Sequence, residues 1–107
     1  MYQSKLNKSI KIIKVFVEKL RNDFNVKEVI FFGSRASGKP KKYSDIDLII
    51  VSDDFEGMNG IERGAKMYDY WDALIPVDFI CYTVKEFNYL KKRISIVREA
   101  LENGISV

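Results

Sequence analysis

Two short stretches carry residues whose types and spacing suit chemistry: Gly33-Ser34 and, a little further on, Asp45-Ile46-Asp47. The second opens the apolar run Ile46 to Val51, and in a strand residues i and i+2 point to the same face. Asp45 and Asp47 therefore converge on one spot, where two carboxylates repel unless a cation lies between them. The first stretch ends another apolar run, Val29-Ile30-Phe31-Phe32, with a residue free to adopt unusual dihedrals and then a small hydroxyl. A turn of that kind lets backbone N–H groups approach a phosphate. The combination suggests a divalent metal facing a phosphate-binding turn. Asp78, in Val77-Asp78-Phe79-Ile80, is a further carboxylate within an apolar run, costly there without a partner. Strand alternation equally allows it to face outward. Arg35 reads as a phosphate-steering cation or as surface cover.

These residues need elements to hold them. Leu6, Ile10, Ile13, Phe16 or Val17, Leu20 and Phe24 recur at three and four, which predicts an amphipathic helix from Ser4 to Asn25. Ser4 is its expected cap, and Lys5, Lys8, Lys11, Lys14 and Lys19 are expected to solvate its outer face. Strands are expected at Val26–Phe32 and Asp45–Val51. Between them, Ser34 to Gly38 suits one helical turn whose start would face an anion, and Gly38 to Tyr43 a lysine-rich loop broken by Pro40. Asp53, Asp54 and Glu56 read as an exposed loop, with extra acidic ligands as the alternative. Ile61 to Leu74 reads as a helix with an untidy apolar stripe, whose Tyr68, Tyr70 and Trp71 suit core filling better than stacking on a base. A third strand is expected at Val77–Tyr82, with Cys81 as a small buried hydrophobe. Thr83 and Glu86 then form a capping box for a last helix that Ser95 divides and Gly104 ends. Ile105 to Val107 would add a short strand or fray.

Composition narrows the function classes. A chain of 107 residues, 47% hydrophobic, with 7 Phe, 6 Tyr and 1 Trp, suits one folded domain over residues 1–107 and argues against disorder. A net charge of +3 is too mild to argue for nucleic acid as a partner. The absence of His removes the usual neutral-pH base and the commonest zinc ligand, which weakens Ser–His and zinc-hydrolase readings. A single Cys permits no internal disulfide, and no apolar run approaches the length of a membrane helix. Met1-Tyr2-Gln3-Ser4-Lys5 lacks a signal peptide's apolar region. The expectation is a cytoplasmic protein with no membrane partner.

Gly33-Ser34, the ten residues Arg35 to Ser44, and then Asp45-x-Asp47 resemble the signature of the DNA polymerase beta type nucleotidyltransferases. More closely, they resemble that superfamily's minimal members. The resemblance runs from the strand before Gly33 to the helix before Gly104. It implies an α/β (α+β) fold with a small mixed sheet flanked by helices. It also implies that Asp45, Asp47 and Asp78 bind Mg²⁺, two ions being expected, and that Asp78 activates an acceptor hydroxyl. Gly33, Ser34 and Arg35 would hold the phosphates of ATP. Many members read Gly-Ser-Arg-Ala-Arg-Gly, whereas Ser37 stands here in place of the second Arg; Lys39, Lys41 or Lys42 would have to supply that cation. Minimal nucleotidyltransferases are often paired with a helical HEPN-type toxin, as its antitoxin, and some transfer AMP to a tyrosine of that partner. The alternatives are a non-catalytic module that docks on a helical partner, and a stand-alone transferase acting on a small molecule or RNA end. The latter would need a surface that 107 residues hardly supply unless the chain dimerises.

Overall fold

Ile46–Ser52 is apolar at nearly every position, as a strand covered on both faces must be. It is the second strand, β2, and lies inside a four-stranded sheet. On one side it pairs antiparallel with β1, Val26–Phe32, and on the other parallel with β3, Val77–Tyr82. A two-residue strand, β4 (Ile105–Ser106), pairs antiparallel with β1 and closes the order β3-β2-β1-β4. The sheet is thus mixed, as expected, and the chain end is paired rather than frayed. The computed structural model describes residues 2–37 and 45–107, with side chains from residue 3. The predicted loop at 38–43, with Lys39, Lys41 and Lys42, lies outside the described residues.

Alternation along the strands sends side chains into two clusters. Ile46, Leu48 and Ile50 join Ile13, Phe16, Leu20 and Met67, whereas Ile49 and Val51 join Phe87, Val97 and Ala100. The first layer is supplied by α1 (Tyr2–Leu20) and α3 (Gly60–Tyr68), the second by α4 (Val84–Leu90) and α5 (Ile96–Asn103). A single turn, α2 (Ser34–Ser37), follows β1. The five α-lysines named above are all exposed. No helix among the described residues is long and apolar enough to cross a membrane.

Several boundaries differ from the sequence reading. The second strand, expected at Asp45–Val51, runs one residue later at each end, so Asp45 stands just before it. The first helix starts before Ser4, which therefore does not cap it, and it gives way at Leu20 to a turn that closes through Phe24 N–H on the Leu20 carbonyl, 2.9 Å. The third helix stops at Tyr68 rather than Leu74, because Trp71 and Tyr70 leave the helix to pack elsewhere. The Trp71 ring lies edge-on to Phe16 at 5.4 Å, its Nε1 donates to the Ile75 carbonyl at 3.0 Å, and Tyr70 meets Phe24 at 5.9 Å. That helix's stripe reads as untidy because Arg63, one turn before Met67, points inward and is buried. The last helical stretch is two helices: Ser95 caps the second, its side chain accepting from the Arg98 N–H. The Thr83–Glu86 capping box forms as expected.

Candidate active site

Because β1 runs against β2 and β3 runs with it, the C-terminal end of β1 meets the N-terminal ends of the other two at one edge. That edge gathers the residues singled out in the sequence. Asp47 is the register partner of Phe32 on one side and of Asp78 on the other. Neighbouring strands lie about 4.8 Å apart, so Asp47 and Asp78 are side by side on the face shared with Ile49 and Ile80. Asp45 immediately precedes β2. Asp45 and Asp47 are half-buried, while Asp78 is exposed. The cost of burying a lone carboxylate therefore does not argue for Asp78; its register with Asp47 does.

Gly33 turns the chain out of β1 with φ at +83°, a left-handed conformation that glycine takes without steric cost. A second constraint is a close approach: a Cβ at Gly33 would strike the Asp47 carboxylate and lie 3.2 Å from its Cγ. The turn and Asp47 are thus in contact. The Gly33 carbonyl accepts from the Ala36 and Ser37 N–H groups at 3.1 and 3.0 Å, which winds α2. Ser37 donates its hydroxyl to the Ser34 carbonyl at 3.2 Å, so it finishes this turn. Arg35 is half-buried, and its Nε donates to the buried Ser9 hydroxyl at 3.3 Å, tying α2 to α1.

The carboxylates feel one another. Burial first, then the charges of Asp78 and Asp45, push the Asp47 carboxyl above its ordinary range. Among the described residues, no three His, Cys, Asp or Glu side chains are grouped tightly enough to hold a metal ion. The donor chemistry nonetheless fits a hard divalent cation: three carboxylates at one end of the sheet, beside the Gly33 turn. Asp53 and Asp54 belong elsewhere. Asp53 accepts from the Val84 N–H at 3.1 Å and Asp54 from the Asn25 N–H at 2.7 Å, so they cap backbone at the opposite end of the sheet. Cys81 is packed against the core, and burial pushes its thiol up to about 12, which leaves it inert.

Sequence reasoning misread one group near this edge and missed another: Tyr68, read as core-filling, is 52% exposed. The Tyr68 hydroxyl donates to the Val77 carbonyl, one residue before Asp78, and its ring lies edge-on to Phe79 at 4.9 Å. Burial, then Asp78 and Asp45, raise its phenol above the ordinary value. No local signal separates such a tyrosine from a core-filling one. The other group is a cleft of about 650 Å³ between the Gly33-Ser34 turn and α5, lined by Ser37, Ile96, Glu99 and Asn103 among others. Helical spacing puts the α5 residues on one face, but nothing in the sequence says what that face meets.

Comparison with known proteins identifies the family. The family profile described as the nucleotidyltransferase domain matches residues 10–106. The chain is 28% identical over 101 residues to the probable protein adenylyltransferase MntA of Haemophilus influenzae, covering 92% of this chain and 86% of that protein. It is 31% identical over 64 residues to the protein adenylyltransferase MntA of Thermococcus cleftensis, covering 60% of this chain and 62% of the relative. A crystal structure from Sulfolobus solfataricus, assigned as a nucleotidyltransferase, superposes with a TM-score of 0.72 at 25% identity, over 98% of this chain and 84% of that one. A chain with this turn, this sheet and these relatives belongs to the nucleotidyltransferase domain family.

Proposed function

We propose that this nucleotidyltransferase moves AMP from ATP to a hydroxyl of a partner protein, that residues 1–107 act as one domain, and that the acceptor is a tyrosine of a helical HEPN-type toxin which the chain thereby restrains as antitoxin. The observation that carries the chemistry is the contact of the Gly33 turn with Asp47, itself in register with Asp78. It brings a glycine turn with backbone donors and an acidic edge to one place. The protein-adenylyltransferase reading is supported by the names of the two relatives.

In this reading the backbone at Gly33 and Ser34 and the Ser34 hydroxyl bind the outer phosphates. Asp45, Asp47 and Asp78 are the residues that would hold divalent Mg²⁺. When bound, Mg²⁺ supplies charge neutralisation for the attacking oxygen and the departing pyrophosphate. Asp78, exposed at the strand start, is open to the acceptor side and takes the hydroxyl proton. The acceptor oxygen then bonds to the α-phosphorus as the bond to pyrophosphate breaks. Arg35, held against α1 by Ser9, braces the turn.

The test is intact mass of a co-expressed HEPN-type neighbour after incubation with ATP and Mg²⁺. An AMP adduct on a partner tyrosine, absent with Asp45→Asn, is the expected result. Transfer onto a free sugar or RNA end without any protein acceptor would replace this reading with the stand-alone transferase.

A further inference from the structure

The cleft beside the phosphate turn is divided in a way that suits the rest of a nucleotide. One wall is the turn itself, with Gly33, Ser34 and Ser37; the other is a single face of α5, with Ile96, Glu99 and Asn103. Positions 96, 99 and 103 fall at i, i+3 and i+7, one side of a helix. Ile96 is 44% exposed and gives this wall its apolar surface. Glu99 and Asn103 are exposed, and neither side chain has a hydrogen bond or ion pair among the described residues.

The placement of α5 is not incidental. Its end is pinned where Gly104 passes β1: an added Cβ there would lie 2.9 Å from both the Ile30 Cγ2 and the Phe31 carbonyl. Ile105 then pairs with Phe31 in the sheet. The residue two beyond Phe31 is Gly33, so the same strand sets both walls of the cleft.

We infer that this cleft takes the nucleoside half of the triphosphate, with Glu99 and Asn103 as its polar readers and Ile96 against the base. The inference rests on the reading of Gly33-Ser34 as the phosphate turn. A carboxylate repels phosphates and can only accept hydrogen bonds, so Glu99 suits the end of the ligand that carries donors. In a nucleoside those are the ribose hydroxyls and an exocyclic amine. Asn103, one turn on, both donates and accepts, and it reads a ring edge that does the same. A ligand lacking the donor would leave the carboxylate facing it unpaired, which is how such a site discriminates.

Calorimetric titration in Mg²⁺ buffer tests this with four probes: ATP, 2′-deoxyATP, inosine triphosphate and inorganic tripolyphosphate. ATP is expected to bind about tenfold tighter than tripolyphosphate, and Glu99→Ala to weaken ATP about tenfold while leaving tripolyphosphate unchanged. Asn103→Ala is expected to act the same way, less strongly. Weaker wild-type binding of 2′-deoxyATP, lost in Glu99→Ala, assigns the carboxylate to ribose; the same pattern with inosine triphosphate assigns it to the amine. Both variants sit at exposed helix positions, and a thermal melt checks that each is folded. If both bind ATP as the wild type does, or if the wild type binds tripolyphosphate as tightly as ATP, the inference is overturned while the phosphate turn stands. If the wild type binds neither, the phosphate-turn reading falls and takes the inference with it.

Discussion

Gly33 carries two separate demands, and a single methyl group tests both. The positive φ alone costs an alanine about 1 kcal/mol, and the collision with Asp47 adds to it. Gly33→Ala is therefore expected to lower stability by about 2 kcal/mol and to abolish ATP binding, read by thermal melting and titration. A folded, unstrained variant with wild-type affinity would make the turn merely structural. Asp47 makes the opposite trade. Its carboxyl is raised by burial and by Asp78 and Asp45, so the folded chain holds a proton there more tightly than the unfolded one. The ionised group then opposes folding, and the penalty grows as pH rises from the ordinary value of 3.8 through the higher folded one. Asp47→Asn is expected to raise the neutral-pH melting temperature by about 2 °C or more while losing the further shift that Mg²⁺ and ATP give the wild type. A lower melting temperature would mean that the carboxylate is structural.

At the scale of elements, α3 does more than fill a layer. The Pro76 carbonyl accepts from the Ile46 N–H, so the carbonyls of 77, 79 and 81 point away from β2, along the open edge of β3. Two of them are covered by α3: Tyr68 donates to Val77, and Arg63 donates to Cys81 at 3.1 Å. An exposed strand edge invites pairing with other chains, and these side chains blunt it. Arg63 also donates to the Met58 carbonyl at 2.9 Å and to Glu86 at 2.6 Å, which joins α3 to α4. Arg63→Met should cost about 2 kcal/mol, near 10 °C in melting temperature, without changing ATP affinity in the folded protein. The Glu86 carboxyl is held below its ordinary range, first by the Arg63 hydrogen bond. Its stabilisation is present above the ordinary value of 4.5 and is lost as pH falls through the lower folded one. The gap between wild type and variant should narrow below that pH; a gap that is flat with pH would remove Glu86 from the account.

For the whole molecule, the Cα radius of gyration is 13.3 Å, close to the value of about 13 Å expected of one compact unit this long. The described elements all serve one sheet and its two covering layers, which leaves the acceptor to be brought by a partner in the proposed function. Positioning an acceptor for attack is worth roughly 7–11 kcal/mol in favourable cases, so transfer without the partner should be slow. In the proposed function the exposed Asp78 serves that side. Asp78→Asn is expected to cut transfer to the partner by about 100-fold or more, with ATP affinity little changed. Equal losses in binding and transfer would place Asp78 on the nucleotide instead.

What the sequence determined by itself is what neighbours along the chain decide. The strands at Val26–Phe32 and Val77–Tyr82 were legible to the residue, since largely apolar, β-prone stretches are bounded there by turn and cap residues. The Thr83–Glu86 box and the break at Ser95 depend on a few adjacent backbone groups, and they too were readable. The nearness of Asp45 to Asp47 is local as well, although Asp45 stands just before the strand and not in it. Only the tertiary structure decided which faces meet. The contact of Gly33 with Asp47 requires β1 and β2 to be antiparallel in one register, and the neighbourhood of Asp78 requires β3 to be parallel. The inward Arg63 is readable only once Cys81 and Glu86 are in place to accept from it. Glu99 and Asn103 share a cleft with the Gly33-Ser34 turn because β4 pairs with β1 and Gly104 lets α5 approach it. Those are long-range packing choices, and no window of local sequence contains both sides of them.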